Sequence, residues 1–331
     1  MRKVRWGVLS TANIAQAQVI PAITRAENAE IIAIASESGK ASEVASTFSI
    51  PAFYDSYEEL LQKKEMDAVY IPLPNHLHKK WVIEAAKHGK HILCEKPAAL
   101  NTEEAKEMID FCREKGVKFM EAFMYQFHPQ HQRVREIIAS GEIGEVKFMS
   151  SNFSFFLENK ETNIRMKKEM GGGSIYDVGC YCIHAIRNFL QAEPAVVEAH
   201  AEIDPKTGVD LTATVYMKLD NGIPTMFSSS MDMASRQEYE IVGTKGRIIV
   251  PRAFRPDIYG GKGQIIVQTE QVDRKEKWTA DLYKLEIEHF SQAILDQTEI
   301  AYTPENTIRN MQAVEACYKS IEKNKPINLD S

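Results

Sequence analysis

Several features are scarce in this sequence, and each absence removes a class of protein. No run of about 18 apolar residues occurs, so no segment reads as membrane-spanning. Charge of one sign never accumulates: 46 acidic and 40 basic residues are spread along the chain, leaving a formal charge of −6. Without a basic block, neither nucleic acid nor an anionic membrane is expected as the principal partner. Cysteine is sparse and odd in number, at 94, 112, 180, 182 and 317, with no Cys-x-x-Cys pair. That pattern fits neither a disulfide framework nor a zinc ribbon, and it reads as reduced thiols in a cytoplasmic protein. No His/Cys/acid cluster has zinc spacing, and His76 and His78 stand two apart rather than four, so no metal is expected. The start, Arg2-Lys-Val-Arg-Trp-Gly-Val-Leu-Ser10, turns from basic to apolar. The apolar part is too short for a signal sequence, and Asn13, Gln16 and Gln18 interrupt the stretch after it.

The remaining composition is ordinary globular usage. The chain has 331 residues, 44% hydrophobic and 26% charged. At about 150 residues per domain, that length suggests two domains. Two grammars divide it near residue 123. Up to there, short apolar runs alternate with amphipathic stretches. Val4–Leu9, Ile31–Ala35, Asp67–Ile71, His91–Cys94 and Val117–Met120 read as strands. Helices are expected over 13–26, 40–47 and 76–88, with Ser56/Glu59 and Asn101/Glu104 as capping boxes opening two more. Buried strands separated by helices imply a doubly wound parallel α/β sheet over residues 1–123. The rest, 124–331, is dominated by strand candidates at 145–156, 195–203, 211–219, 224–230, 237–250 and 264–272. Asn221-Gly222 is a hairpin signal and Thr244-Lys-Gly246 a further tight turn. This half is expected to be α+β, an open, mostly antiparallel sheet with one covered face and closing helices at 281–296 and 304–323. Its other face invites pairing of sheets, as in a homodimer or homotetramer.

The first strand runs into Ser10-Thr-Ala12-Asn-Ile-Ala15. Positions 10, 12 and 15 stand where a dinucleotide fingerprint has Gly-x-Gly-x-x-Gly/Ala. Small residues there let the backbone approach a pyrophosphate on a helix N-terminus, although the same pattern also suits a plain strand–helix turn. The second strand ends at Ser36-Glu37, about twenty residues on, where an acid accepts hydrogen bonds from a ribose diol. Glu37 disfavours a 2′-phosphate, whereas Ser36, Ser38 and Lys40 supply groups that hold one; on balance NAD is favoured over NADP. Ser10, Thr11, Ala12, Asn13, Ile14, Ser36 and Glu37 are therefore candidate cofactor contacts.

Two later segments are more specific. The first is Tyr70-Ile-Pro72-Leu73-Pro-Asn75-His-Leu-His78, followed by Cys94-Glu95-Lys96-Pro97. The second is Gly171-Gly-Gly-Ser-Ile-Tyr-Asp177-Val-Gly-Cys-Tyr181. With Glu121-Ala-Phe-Met-Tyr125-Gln-Phe-His128-Pro129, they resemble the Gfo/Idh/MocA oxidoreductase family, in the branch of dihydrodiol, D-xylose and glucose–fructose enzymes. The residues agree with that resemblance. Lys96 follows an apolar strand, at the carboxyl edge where α/β sheets bind ligands, as do Pro72, Leu73, Asn75, His78 and Glu95. Asn75 doubles as a helix N-cap. Asp177 and Tyr181 stand four apart on a helix read as capped by Ser174, and project from one face with His184. Val178, Cys182, Ile186 and Phe189 form its core face. Tyr125 and His128 lie where the chain passes between the halves and read as substrate contacts, with Arg165 from the charged loop 158–170. Gln126 departs from the family, whose members commonly carry Arg in that segment.

The resemblance implies an NAD(P)-dependent dehydrogenase acting on a sugar, polyol or vicinal diol. Tyr181 then exchanges the hydroxyl proton, Lys96 stabilises developing charge, and Asp177 holds a second hydroxyl. A phenol of ordinary pKa about 10 needs such a neighbouring cation to act as a base. Two other readings belong to the same family resemblance: a dinucleotide-binding sensor without turnover, and a glycosidase or isomerase with no net redox change. A sensor would need neither Lys96 nor Tyr181.

Overall fold

A computed structural model describes residues 2–329. The alternating grammar of the first third becomes six strands: β1 (Val4–Leu9), β2 (Ala29–Ala35), β3 (Ala52–Tyr54), β4 (Ala68–Ile71), β5 (His91–Cys94) and β6 (Phe119–Glu121). Every pairing is parallel and the order is β3-β2-β1-β4-β5-β6, so the chain winds outward in both directions from β1. Between the strands run α1 (Ile20–Arg25), α2 (Ala41–Phe48), α3 (Tyr57–Leu61), α4 (Asn75–Lys87) and α5 (Thr102–Glu114). All four residues of β4 are buried, which is why this strand reads as an unbroken apolar run rather than an alternation. Ser56 and Asn101 cap their helices through the amides of Glu59 and Glu104. Strand β3 carries no readable signal, because three residues around an exposed Phe53 leave no apolar run.

The later strand-rich segment forms α6 (Pro129–Ala139), β7 (Val146–Phe156), α7 (Cys180–Leu190), β8 (Pro194–Ile203), β9 (Asp210–Leu219), β10 (Pro224–Ser230), β11 (Asp232–Gly243), β12 (Gly246–Val250), β13 (Lys262–Thr269) and β14 (Asp273–Thr279). The chain then runs through α8 (Leu282–Asp296), α9 (Pro304–Lys323) and β15 (Ile327–Asn328). Among the described residues nine strands order as β14-β13-β12-β11-β7-β10-β9-β8-β15, with only β7 and β10 parallel. The expected strand 237–250 is two strands, split at the turn before Gly246. The charged strand β14, Asp-Arg-Lys-Glu-Lys-Trp-Thr, carries no hydrophobic signal because it is an edge with no buried face. Along β9 the outer residues alternate buried and exposed, the imprint of a sheet with one covered face.

The chain divides into two compact units. One is Met1–Met124 with Asp281–Ile308, and the other is Tyr125–Ala280 with Arg309–Ser331. The expected second domain, 124–331, therefore loses 281–308 to the first unit. The reason lies in contacts to β1 and its neighbours. Trp6 donates from Nε1 to Ser291 Oγ at 3.1 Å and packs on Phe290, and Asn28 Nδ2 donates to the Glu288 carbonyl at 2.9 Å. An apolar helix stripe does not say in the sequence which sheet it will cover.

Candidate active site

In the first unit, the turn after β1 is built without the usual glycine. Ser10 stands at φ +130°, a region that L-residues rarely enter. Two local bonds hold it there: the Ser10 amide donates to the Ala35 carbonyl at 2.9 Å, and Ser10 Oγ accepts from the Ala12 amide at 3.1 Å. Tyr57 reaches both Ser10 and the Glu37 backbone; burial first, then the Glu37 carboxylate, pushes its phenol above the ordinary value. The helix that follows opens with a π turn, Ala15–Val19, and no side chain caps its start at Ile14. Nothing larger than Thr11 stands between residues 10 and 12, and both Ser10 and Ala12 are half-buried. A pyrophosphate-bearing cofactor fits this turn, because uncapped amides at a helix start attract anionic oxygens. Ser36 is 3% exposed and its hydroxyl contacts Thr11 Oγ1 at 3.2 Å and Ser38 Oγ at 2.8 Å, while Glu37 is exposed.

The ends of β4 and β5 carry the next group. The Lys96–Pro97 peptide is cis. Two residues hold the turn from beneath. His78 Nδ1 lies 2.9 Å from the Pro97 carbonyl and Nε2 lies 2.7 Å from the Leu73 carbonyl, and Glu121 Oε1 accepts from the Ala98 amide at 2.9 Å. His78 is fully buried. It does not line the cofactor face as expected but ties the Leu73 and Pro97 loops together. Burial pushes its pKa down to about 4 against the pull of those carbonyls. Asn75 is not a cap either: Pro74 precedes the helix, and Asn75 is its first residue. Glu95 Oε1 accepts from Tyr70 at 2.5 Å. Beside it, Glu286 of α8 is buried with Oε1 lacking a hydrogen-bond partner; burial, then the charge of Glu95, raises its pKa well above the ordinary carboxyl value.

In the second unit, residues Ile175–Gly179 form a π turn that leads into α7 and carries Asp177, with Tyr181 just beyond it. Ser174 does not cap this helix, since its own backbone is already helical and its hydroxyl points to Asp210. Arg165 Nε donates to Asp177 Oδ2 at 2.7 Å. The Asp177 carboxylate pushes the pKa of the Arg165 guanidinium further up, and Tyr181 lies close enough to add to it. The Gly171–Gly173 turn backs directly onto this loop. A Cβ at Gly172 would stand 2.5 Å from the Arg165 carbonyl. Behind Tyr181, Phe153, Phe254 and Tyr125 pack with ring centroids 5.3, 5.7 and 5.8 Å away.

Two expected substrate contacts turn out to be interior. Tyr125 is fully buried and shares a 2.5 Å hydrogen bond with His184 Nδ1, so it supports Tyr181 from behind. Burial pushes His184 well below its ordinary value, keeping that ring neutral. His128 is also fully buried. Its Nδ1 accepts from the Gln130 amide at the start of α6, and Nε2 faces the Gly261 carbonyl at 3.0 Å. Tyr125 is held by ring packing and the His184 side chain, and His128 by backbone partners. The residues that sequence reasoning missed, Asp210, Glu121 and Tyr57, are bonded to the motifs from distant strands and helices, and only the acid in Glu121-Ala-Phe-Met-Tyr125 lay inside a recognised segment.

Comparison with known proteins places this geometry among nicotinamide-dependent enzymes. Residues 4–123 match the model of an oxidoreductase family with an NAD-binding Rossmann fold, and residues 131–249 match the GFO/IDH/MocA C-terminal domain. The chain is 38% identical to D-xylose 1-dehydrogenase (NADP(+)) 2 of Haloferax volcanii, over 98% of this chain and 99% of that protein. It is 32% identical to trans-1,2-dihydrobenzene-1,2-diol dehydrogenase of Xenopus laevis, over 75% of each. Among solved structures, a 3-ketoreductase from Actinomadura kijaniata in complex with NADP and TDP-benzene is 28% identical. It aligns with a TM-score of 0.89 over 97% of this chain and 98% of that one.

Proposed function

The chain belongs to the Gfo/Idh/MocA oxidoreductase family and is an NAD(P)-dependent oxidoreductase of sugar or diol hydroxyls; we propose that Tyr181 is its general acid–base and Lys96 its electrostatic partner. The nicotinamide of the bound dinucleotide supplies the hydride acceptor or donor. Tyr181 takes the proton of the substrate hydroxyl as the carbon is oxidised, and returns it to the alkoxide oxygen in the reverse direction. Arg165 favours the phenolate of Tyr181, since a neighbouring cation stabilises the anion. The same guanidinium orients Asp177, which accepts from a second hydroxyl of the substrate. Lys96, next to Glu95 in the chain, donates as a cation to the reacting oxygen. The observation that carries this reading is the 2.7 Å Arg165–Asp177 pair set against Tyr181 at the helix start.

The dinucleotide lies along Ser10, Thr11, Ala12, Asn13 and Ile14, with Pro72, Leu73, Asn75, Glu95 and Lys96 toward the reacting end. NAD is the preferred form, because the exposed Glu37 accepts from a ribose diol and repels a 2′-phosphate, while Ser36 is already engaged. The substrate is an aldose or vicinal diol, a class that the names of the xylose and dihydrodiol relatives support. A homodimer or homotetramer forms through the open face of the nine-stranded sheet. Five buried cysteines, none of them in a disulfide, support a reducing, cytoplasmic setting.

The test is a panel of aldoses, inositols and trans-diols with NAD+ or NADP+, read at the absorbance band of the reduced nicotinamide. Lys96→Met and Tyr181→Phe are each expected to lower turnover by about 100-fold or more, while dinucleotide affinity, read by fluorescence titration, stays near wild type. Near-normal turnover in both variants overturns the assignment.

A further inference from the structure

Asp210, at the start of β9, lies outside every motif of the site. It is 1% exposed, yet its carboxylate is fully engaged at one place. Oδ2 accepts from the Ile175 amide and from Ser174 Oγ, both at 2.8 Å, and Oδ1 accepts from the Tyr318 hydroxyl at 2.9 Å. Ser174 Oγ is further held 3.0 Å from Ser229 Oγ of β10. Two of these donors open the turn that carries Asp177 and leads to Tyr181. A carboxylate at the first turn of a helix satisfies amides that have no partner within the helix, and its charge opposes the positive end of the helix dipole. The residue performing that task comes from a strand 35 positions further along the chain.

The triple glycine has a matching explanation. Gly173 stands at φ +119°, and a Cβ there would overlap Asp210 Oδ1 and lie 2.9 Å from the Tyr318 hydroxyl. No side chain fits between residue 173 and that carboxylate. Gly173 is therefore the socket that Asp210 occupies. Tyr318 closes the far side, and its ring stacks on Tyr176 with centroids 4.8 Å apart.

We propose that Asp210 is a positioning residue for the reaction: its buried carboxylate, seated against Gly173 and Tyr318, caps the helix start and sets where Asp177 and Tyr181 stand. The inference rests on the reading of Tyr181 as acid–base. A misplacement of about 1 Å at such a group costs on the order of 100-fold in rate, so a cap that fixes the first turn has kinetic weight.

Full-length chains carrying Asp210→Ala, Asp210→Asn, Gly173→Ala and Tyr318→Phe test it, alongside Tyr181→Phe. Hydrogen exchange over residues 174–181 is read together with kinetics on whichever of D-xylose, D-glucose and trans-cyclohexane-1,2-diol the wild type oxidises fastest. The Asn side chain can keep all three contacts, with its carbonyl toward Ser174 and Ile175 and its amide toward Tyr318. The expected result is faster exchange in Asp210→Ala and Gly173→Ala, with kcat/KM down about 10- to 100-fold and dinucleotide affinity unchanged. Asp210→Asn should stay within about fivefold of wild type, and Tyr318→Phe should fall between. Should Asp210→Ala fail to fold, the Asn and Tyr318→Phe variants still rank the contacts. Wild-type kinetics in Asp210→Ala, or Asp210→Asn and Tyr318→Phe both as impaired as Gly173→Ala, overturn the proposal while Tyr181→Phe remains inactive. Normal turnover in Tyr181→Phe overturns the acid–base reading and this inference with it.

Discussion

A carboxyl with no hydrogen-bond partner on a buried oxygen is costly to ionise, and Glu286 is in that position beside the charge of Glu95. The folded protein therefore keeps a proton that the unfolded chain loses above about pH 4.3, the ordinary carboxyl value. Folding takes up that proton, so this group's contribution to stability falls as pH rises from there toward the raised folded pKa. Glu286→Gln removes the penalty. It is expected to raise the thermal midpoint at neutral pH, with the gain shrinking toward zero near pH 4; a midpoint lowered at neutral pH would count against this account. The opposite sign applies to His78. Its depressed folded pKa gives stability above about 6.5 that is lost as pH falls toward about 4. At this scale the candidates Lys96, Asp177 and Tyr181 stand out in the sequence because each sits in a local motif. The partners that hold them were not, since Glu121 bonds to Ala98 across 23 positions and Asp210 bonds to Ile175 across 35.

Elements were read well where one face alone decides them. Fully buried parallel strands and Ser56 or Asn101 caps carry their signal within a few residues, whereas π turns and an isolated edge such as Ala52–Tyr54 do not. The turn between β1 and α1 offers a direct test, because Ser10 occupies a conformation suited to glycine. Its backbone strain costs about 1–3 kcal/mol, and its bond to the Ala12 amide returns about 1 kcal/mol. Ser10→Gly releases the strain while losing the side-chain bonds to the Ala12 amide and to Tyr57, so unfolding should show it near wild type. Ser10→Ala keeps the strain and loses the bond, so it should be about 1–2 kcal/mol less stable than the glycine variant. An alanine variant as stable as the glycine one would show that the turn is unstrained. The helix at Ile175 failed to follow its expected cap for a related reason. Ser174 was in the right place in the sequence, but Asp210 of β9 draws its hydroxyl away as a donor and itself takes the Ile175 amide.

Across the whole molecule, the net charge of −6 opposes an anionic dinucleotide, so its binding has to rest on local groups rather than on the overall field. The nine-stranded sheet presents Tyr216 and Met226 directly opposite each other on β9 and β10, both exposed. Apolar side chains paired on an open sheet face suit a second copy of the chain. Met226→Glu should lower the molar mass measured by sedimentation to that of a single chain, with the helical and strand content unchanged. An unaltered mass would remove this face as the interface.

By itself the sequence determined the two kinds of sheet and the local segments in which the candidate residues Ser10, Lys96 and Tyr181 stand. Those depend on periodicity, capping and residues close together in the chain. Only the tertiary structure decided that residues 281–308 pack with the parallel sheet, through Trp6 and Ser291. It alone decided that Tyr125, His78 and His128 are interior, and that Asp210 is the cap of the Tyr181 helix. The physical reason is the same in each case. A side chain's partner is set by which strands become neighbours, and burial makes an acid or imidazole take whatever donor or acceptor that neighbour provides.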